Sequence, residues 1–457
     1  MATIKISRIK EHNSPSSLPF TKGIERDNFV DTAVHTGREQ IPPTPLFQRG
    51  AGGIYCQDDE QKPLSTALGK EGSTQTKPHY SPWLTGIFLA LSLAACGQQE
   101  QTGEGVAATL REPDYAGFER AFSPRQFDFP ADHGPHPNFR DEWWYITGNL
   151  DGPQRQRFGF QITFFRHGLK QGIPNRPSRW AGQDANMAHF ALTDVDNQKY
   201  TSFQRISRSA IGLAGEQAEP FKVWLDDWHI EAAPGGNFPW HFRASQDGIE
   251  LDLKLDPRKP PVLNGYQGLS QKSSEPGNAS YYYSITRMAA KGQLKLSGQQ
   301  IPVNGLAWLD REWSTSMLAE YQAGWDWFSL QLDDGMDLMY FRLRHKDGKD
   351  DPASSGTLVA PDGQSTRLSH DAIAIEALDY WDSPAGGRYP SSWRLTIKPS
   401  GRILAIRPVL ADQEFRHDAR YWEGAVNVLD AKTGKTVGRG YVELTGYAPG
   451  KVEKSGD

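Results

Sequence analysis

The fold class of this 457-residue chain follows from one stretch, DWFSLQLDDGMDLMYFRLR, residues 326–344. It contains two runs in which apolar and polar residues alternate, and a period of two residues is typical of a strand buried on one face. The runs are joined by Asp333-Asp334-Gly335. A tight turn between antiparallel strands favours Asp and Gly because it requires positive φ. The stretch therefore predicts a β-hairpin.

The same alternation recurs through most of the sequence after residue 115. Every second residue is apolar in much of RFGFQITFF, residues 157–165, and in GIELDLKLD, residues 248–256. A second hairpin is predicted where SSWRLTIKP and GRILAIRPVL meet, at Pro399-Ser400-Gly401. No amphipathic helix longer than two turns is evident, and turn residues separate the short runs. The pattern therefore predicts an all-β sandwich or barrel architecture.

The length of this β-rich region predicts two barrels. Roughly 340 residues are too many for one small barrel, because single cores of that kind do not grow indefinitely. A stretch rich in Gly, Ser and Pro precedes the boundary that we predict between the two barrels, near residues 295–303. We therefore predict a first barrel over residues 116–298 and a second over residues 299–453.

Composition excludes several classes of function. The net charge is -5 and no basic run occurs, which argues against a nucleic-acid partner. Cys56 and Cys96, the two cysteines, are too few for a disulfide framework or a thiolate metal site. His133 and His136, with the adjacent Asp132, are residue types that bind zinc, but their spacing does not match a standard metal motif. Because nucleotide, dinucleotide and serine-hydrolase motifs are also missing from the sequence, we expect no metal and no cofactor.

An uncharged segment before Cys96 predicts export. WLTGIFLALSLAA, residues 83–95, is too short to span a bilayer but has the length of a signal-peptide core. Its end, Leu93-Ala94-Ala95-Cys96, resembles the bacterial lipobox and is followed by a polar tract. The resemblance implies cleavage before Cys96 and lipidation of its thiol. We expect a signal segment at residues 81–96, a polar tether at residues 97–115, and a protein anchored to the cell envelope.

The residues around this signal segment add two expectations. Gly97 after the cysteine implies sorting to the outer membrane, with the protein on its periplasmic face. Residues 1–80 show no strand or helix period and are rich in Ser, Pro, Thr and Gly. We expect this region to be disordered or to be an over-extension of the coding sequence, because a signal segment belongs at the N-terminus of a protein. Since no Met occurs between Met1 and Met187, a later start would use a non-AUG codon.

The sequence WLDREW, residues 308–313, contains the first candidate catalytic groups. On a strand, Asp310 and Glu312 share one face with Trp308. Flanking Trp308 and Trp313 rings would remove water from the carboxyl group, raise its pKa and let it hold a proton near neutral pH. Such an acid can protonate a carbon–carbon double bond, and nearby rings stabilise the cation formed. The alternative is a solvated or arginine-paired turn that ends a strand.

Two further residues are candidates for proton transfer. Glu142 shares a strand face with Trp144 and is a second candidate carboxylate; its alternative role is a barrel-closing salt bridge with Arg311 or Arg140. His189 is the best candidate proton shuttle, although a strand histidine is more often a hydrogen-bonded core residue. The aromatic residues that we predict to line a ligand pocket, or else to form ordinary core, are Trp143, Trp144, Tyr145, Tyr282, Trp308, Trp313, Trp325 and Trp327.

Five sequence blocks, in order, resemble the AttH/carotenoid 1,2-hydratase (CrtC-like) family, whose members often carry the label of predicted secreted hydrolase. The blocks are HPNFRDEWWYITGNL at residues 136–150, MAHFALTD at residues 187–194, YYYS at residues 281–284, GLAWLDREWSTS at residues 305–316 and GWDWFSLQLDDG at residues 324–335. The resemblance covers about residues 116–450. It implies two lipocalin-like antiparallel β-barrels side by side, and it matches Asp310 to the aspartate taken as proton donor in carotenoid hydratases.

Three functions are compatible with the sequence. The first is an envelope-anchored protein that binds an elongated hydrophobic molecule, such as a lipid, isoprenoid or carotenoid; the resemblance adds an ABC transporter permease as its partner. The second is a cofactor-independent hydro-lyase in which Asp310 donates the proton. The third is a secreted hydrolase that cleaves carbohydrate with Glu142 and Asp310 as an acid pair.

Overall fold

The computed structural model describes residues 117–171, 182–234, 237–315 and 318–448. The all-β prediction is confirmed, because the helices in these ranges are three-residue 3₁₀ segments: Ala131–His133, Pro153–Arg155, His370–Ala372 and Lys398–Ser400. None of the described helices combines the length and apolar content needed to cross a membrane. The predictions for residues 1–116, including the signal segment and Cys96, lie outside the described residues.

The first sheet is antiparallel and curls into a nearly closed barrel. Its strands are β1 (Asp141–Asp151), β2 (Arg157–Gly168), β3 (Asp184–Asp194), β4 (Lys199–Arg208), β5 (Ala214–Gln217), β6 (Lys222–Leu225), β7 (Trp228–Ala232), β8 (Trp240–Gln246), β9 (Ile249–Pro257), β10 (Val262–Leu263), β11 (Leu269–Gln271), β12 (Ala279–Leu296) and β13 (Gln299–Ser314). Their order in the sheet is β4-β3-β2-β1-β13-β12-β9-β8-β7-β6-β5, and β10 and β11 pair with β12.

The second sheet is also antiparallel and forms a half-barrel. Its strands are β14 (Gln322–Leu332), β15 (Asp337–His345), β16 (Ser355–Val359), β17 (Ser365–Ser369), β18 (Ile373–Asp382), β19 (Arg388–Ile397), β20 (Arg402–Pro408), β21 (Glu414–Arg416), β22 (Arg420–Asp430) and β23 (Thr436–Leu444). Their order is β17-β16-β15-β14-β23-β22-β20-β19-β18, and β21 pairs with β22. Both predicted hairpins are present, as β14–β15 and β19–β20, with Gly335 and Gly401 at positive φ in their turns.

The boundary between the two sheets needs correction. β13 lies between β1 and β12, so the first sheet continues to Ser314 and the second begins at Gln322. The predicted seam near residues 295–303 coincides with the β12–β13 turn, where Ser297 and Gly298 have positive φ. The Gly and Ser residues there reverse the chain within one sheet; they do not link two domains.

Each sheet encloses its own core of large side chains. Alternation sends Ile249, Leu251, Leu253 and Leu255 of β9 into the first barrel, as predicted. The second core is built in the same way, with Trp393 and other apolar side chains from β14, β15, β19, β20, β22 and β23. A third apolar cluster lies between the two sheets, and this cluster surrounds the candidate site.

Candidate active site between the two barrels

The candidate site lies on the outer face of β13, where the first barrel meets the second sheet. Trp308 of β13 belongs to the cluster between the sheets, whereas Leu309 and Trp313 of the same strand belong to the core of the first barrel. Asp310 shares the face of Trp308, because the side chains of a strand alternate. The predicted grouping of Trp308 and Asp310 on one face of the strand is therefore what the structure shows.

Asp310 is almost completely enclosed and receives three hydrogen bonds. The Tyr282 hydroxyl donates to one carboxyl oxygen. The other accepts from Ser284 Oγ at 2.5 Å and from Trp308 Nε1 at 2.7 Å. Burial removes the carboxylate from water and outweighs these donors, so the pKa of Asp310 rises to about 7. The group can therefore both hold and release a proton near neutral pH.

Aromatic rings from both sheets surround this carboxyl group. The Trp327 ring of β14 packs edge-on against Tyr145 of β1, with centroids 5.1 Å apart, and against Trp308 at 6.3 Å. Trp327 Nε1 also donates to the Tyr282 hydroxyl at 3.2 Å. Trp143 and Trp325 are partly buried residues packed against the same cluster. These rings create an apolar environment in which a developing cation would be stabilised.

Glu312 lies next to Asp310 on the same strand face and has a cationic partner. Lys272 Nζ is 3.2 Å from Glu312 Oε1 and 4.4 Å from the centroid of the Phe341 ring. Burial raises the pKa of Glu312 although Lys272 opposes this shift. Glu312 therefore belongs to an ion pair at the side of the site rather than to the ring-enclosed position of Asp310.

Two carboxyl groups of the second sheet belong to the site and were not among the sequence candidates. Glu423 of β22 and Glu443 of β23 are directly opposite each other. The Tyr145 hydroxyl donates to Glu423 Oε1 at 2.5 Å, which links the pair to the first barrel. Burial and neighbouring carboxyl groups raise the pKa of both glutamates. An acidic residue within each of the apolar runs YWEGAV and GYVEL was the sequence signal for them.

Glu142 lies on the opposite side of the sheet and is part of an ion network inside the first barrel. Arg166 Nε and Arg311 Nη2 each donate to its carboxylate at 2.5 Å. These guanidinium groups hold the pKa of Glu142 well below its usual range, although burial opposes them. The geometry is that of the alternative role, the barrel-closing salt bridge with Arg311. The acid pair of Glu142 and Asp310 expected for carbohydrate cleavage is not formed, because the two carboxylates face opposite sides of one sheet.

His189 lies between the sheets but does not contact Asp310. Its Nδ1 is 2.7 Å from the Tyr421 hydroxyl, and its ring stacks on Phe415 at 4.2 Å. The register aligns Asp310, Tyr145, Thr163 and His189 on four successive strands. Three strand spacings separate Asp310 from His189 by roughly 14 Å. Burial lowers the pKa of His189 to about 3, so its imidazole is neutral at physiological pH.

Two of the predicted pocket aromatics belong to the first barrel instead. Trp313 stacks on His136 with centroids 3.7 Å apart, and the Arg311 guanidinium lies 3.9 Å from the centroid of Trp144. Strand alternation turns both rings away from Asp310. The predicted ring residues that form or border the cluster between the sheets are Trp143, Tyr145, Tyr282, Trp308, Trp325 and Trp327.

The fold and the site together define a lipocalin-like protein in which a nearly closed β-barrel and a half-barrel have carboxyl groups between them. The chain belongs to the AttH-like family, whose model matches residues 120–447. A crystal structure of an AttH-type protein from Nitrosomonas europaea is 36% identical with a TM-score of 0.66, covering 73% of this chain and all of that one.

A second solved structure shares the fold at much lower identity. Kievitone hydratase from Nectria haematococca is 15% identical with a TM-score of 0.54, and the match covers 72% of this chain and 97% of that enzyme. No curated protein matches the chain. The expected membership of the AttH/carotenoid hydratase-like group is therefore confirmed by both family and fold.

Proposed function

We propose that this protein is a cofactor-independent hydro-lyase that binds an unsaturated apolar molecule, such as an isoprenoid, between its two barrels and adds water to a double bond. The observation that carries the proposal is Asp310, a buried carboxyl group with a pKa of about 7 among aromatic rings. A group with this pKa is suited to general acid catalysis at neutral pH.

The proposed reaction begins with proton transfer from the Asp310 carboxyl group to one carbon of the double bond. The π electrons form the new carbon–hydrogen bond, and the neighbouring carbon becomes a cation facing the rings of Trp308 and Trp327. The oxygen of a water molecule then bonds to this cation. The oxonium formed loses a proton, which restores the acid. The sum of the steps is alkene plus water giving alcohol, with no oxidant or reductant.

Glu423 and Glu443 are the groups that we assign to the water. Glu443 is partly accessible, whereas Glu423 is buried and accepts a hydrogen bond from Tyr145. Burial and repulsion from neighbouring carboxyl groups raise the pKa of both groups, so they keep their protons near neutral pH and can hold the attacking water by hydrogen bonds. The proton that the oxonium loses would pass to the Asp310 carboxylate, which the first step leaves ionised.

Ligand binding without turnover is the second candidate. The aromatic cluster between the sheets favours it, because both barrel interiors are occupied by their own side chains and the ring-lined contact is where an apolar chain would be buried. Such a protein would carry a lipid, isoprenoid or carotenoid, and a permease of an ABC transporter is the partner that we propose for it.

Incubation of the protein with isoprenoids in ¹⁸O-labelled water, followed by mass spectrometry, separates these two functions. The hydro-lyase proposal expects a product carrying one ¹⁸O atom with the wild type and none with Asp310→Asn, while both proteins retain the same amount of bound isoprenoid. Asp194→Asn is the control, since Asp194 is a buried aspartate of β3 whose partner is the nearby Asn197. Retention of unlabelled ligand without product would support the carrier, and equal turnover by Asp310→Asn would refute the role of Asp310.

The cellular location is a separate proposal that rests on residues 83–97. We propose that lipid on Cys96 anchors the mature protein to the periplasmic face of the outer membrane. Mass spectrometry of the protein from its native membrane should find a lipid-modified N-terminal cysteine, and Cys96→Ala should release the protein from the membrane fraction. A mature N-terminus elsewhere would refute this location.

A further inference from the structure

A cluster of metal-type ligands lies on the outer face of the first barrel, away from Asp310. Strand β7 carries His229 and Glu231, and β8 carries His241. Alternation places Ile230 in the barrel core and turns its two neighbours outward. Because Glu231 and His241 are directly opposite each other in the β7–β8 register, the three side chains converge on one surface.

The potential ligand atoms of the three side chains lie close together, at distances somewhat longer than those in an occupied metal site. One potential ligand atom from each residue lies within 4.8 Å of the others. His229 Nε2 is 3.9 Å from Glu231 Oε1, and the two imidazole rings are 5.6 Å apart. Ligand atoms around a tetrahedral zinc ion are about 3.4 Å apart, given zinc–nitrogen distances of about 2.1 Å. Small side-chain rotations therefore suffice to close the site.

Each histidine also has the additional hydrogen bond that orients metal-binding imidazoles. His229 Nδ1 lies 3.2 Å from the carbonyl oxygen of Asp227, which leaves Nε2 directed towards Glu231. Asp252 of β9 contacts Nε2 of His241 at 2.8 Å, where its carboxylate can orient the ring or act as a fourth ligand. Within the ranges that the structure describes, this is the group of His and acidic side chains whose atoms are arranged for a metal ion.

We propose that His229, Glu231 and His241 form a binding site for a divalent transition metal of the zinc class. Two imidazoles and one carboxylate are ligands that Zn²⁺ accepts, and three protein ligands leave a position for water. Lys222 Nζ contacts Glu231 Oε2 at 2.8 Å. A metal ion that binds Glu231 would therefore displace this ammonium group from the carboxylate. A bound ion would join β7 to β8 through side chains and stabilise this part of the first barrel.

Titration of the full chain, freed of metal by a chelator, tests the site with Co²⁺ as a spectroscopic probe and Zn²⁺ as competitor. The wild type should develop the visible absorption of Co²⁺ bound to nitrogen ligands, and Zn²⁺ should abolish it. His229→Ala and His241→Ala should each lose this spectrum. Asp252→Asn should bind with affinity reduced about 10–100-fold, as for other groups that orient a ligand. Lys222→Ala should bind more tightly because the competing cation is gone.

The control is His370→Ala, which removes a partly exposed histidine that follows β17 and lies beside Asp371. It should bind Co²⁺ as the wild type does. Zn²⁺ should also raise the unfolding temperature of the wild type and of His370→Ala but not that of His241→Ala. Identical Co²⁺ spectra for the wild type and both ligand variants would overturn the proposal, and circular dichroism of the metal-free variants verifies that they are folded.

Discussion

At the scale of the residue, the behaviour of Asp310 results from two opposing effects. Desolvation disfavours its ionised form, whereas hydrogen bonds from Tyr282, Ser284 and Trp308 favour it. Desolvation is the larger effect and the three donors limit it, so the resulting pKa of about 7 lies above that of a free aspartate. The donors therefore tune the acid as well as hold it in place.

Tyr282→Phe should raise the pKa of Asp310 further. The substitution removes a donor that stabilises the carboxylate, so the protonated form persists to higher pH. Since the acid works when protonated, activity declines as pH rises through this pKa, and the alkaline limb of the pH–rate profile should move to higher pH. ¹³C NMR titration of the aspartate carboxyl groups measures the same shift without substrate.

The control for this variant is Tyr283→Phe. Tyr283 is the next residue along β12, and its hydroxyl contacts His133 inside the first barrel at 2.6 Å. Its loss should leave the Asp310 titration unchanged. A titration in Tyr282→Phe that stays in place or moves to lower pH would contradict the tuning argument.

At the scale of the element, β1 and β13 each serve two sites with opposite faces. Glu142 of β1 and Arg311 of β13 join inside the first barrel, while Tyr145 and Asp310 of the same two strands face the second sheet. Such a division is possible because a strand sends successive side chains to opposite faces. The inner network holds the strands that present the outer site.

Glu142→Gln should reduce the free energy of unfolding by about 3–5 kcal/mol, because two buried guanidinium groups lose the carboxylate that they share, although Arg166 retains Asp184 as a second partner. The pKa of Glu142 is depressed in the folded state, so its contribution is present above the usual glutamate pKa and is lost as pH falls below it. Urea denaturation of both proteins at neutral and acidic pH measures this difference.

Glu376→Gln is the matched substitution at an exposed ion pair with Arg394. This substitution should reduce the free energy of unfolding by less than about 1 kcal/mol, since water screens exposed ion pairs. An equal loss in both variants, or a deficit of Glu142→Gln that grows towards acidic pH, would argue against the buried network.

At the scale of the whole molecule, ionic and polar contacts join the two sheets around the aromatic cluster. Asp337 of β15 is buried and binds Arg287 of β12 at 2.6 Å and Lys259, which follows β9, at 2.7 Å. On another side, Arg439 of β23 binds Asp151 of β1 at 2.8 Å. The relative position of Asp310 and the second-sheet glutamates depends on such contacts.

Asp337→Asn should weaken the association of the two sheets. It removes the charge that compensates two cations of the first unit, and breaking one partner of a buried ion pair typically costs about 3–5 kcal/mol. Differential scanning calorimetry should show a lower unfolding temperature and a transition that broadens or separates into two. Asp334→Asn should show neither effect, since Asp334 pairs with Arg402 on the surface of the second sheet alone. A single unshifted transition in Asp337→Asn would exclude this role.

Much of the local structure was accessible from alternation and turn chemistry. The hairpin at Asp333-Asp334-Gly335 and the grouping of Asp310 with Trp308 both depend on neighbours in sequence, and both are present in the structure. The resemblance of five sequence blocks to a known family added the prediction of the overall β-barrel architecture. Local chemistry sufficed here because a period of two residues determines which side chains share a face.

The tertiary structure decided which face of each strand meets which partner. Alternation places Trp313 and Asp310 on opposite faces of a strand if one strand contains both residues. It does not indicate which of the two faces points into the barrel. The pairing of β1 with β13 and the approach of Glu443 to Asp310 join segments far apart in sequence. Such contacts depend on closure of the sheets and on packing of one unit against the other, since the strand period carries no information about distant partners.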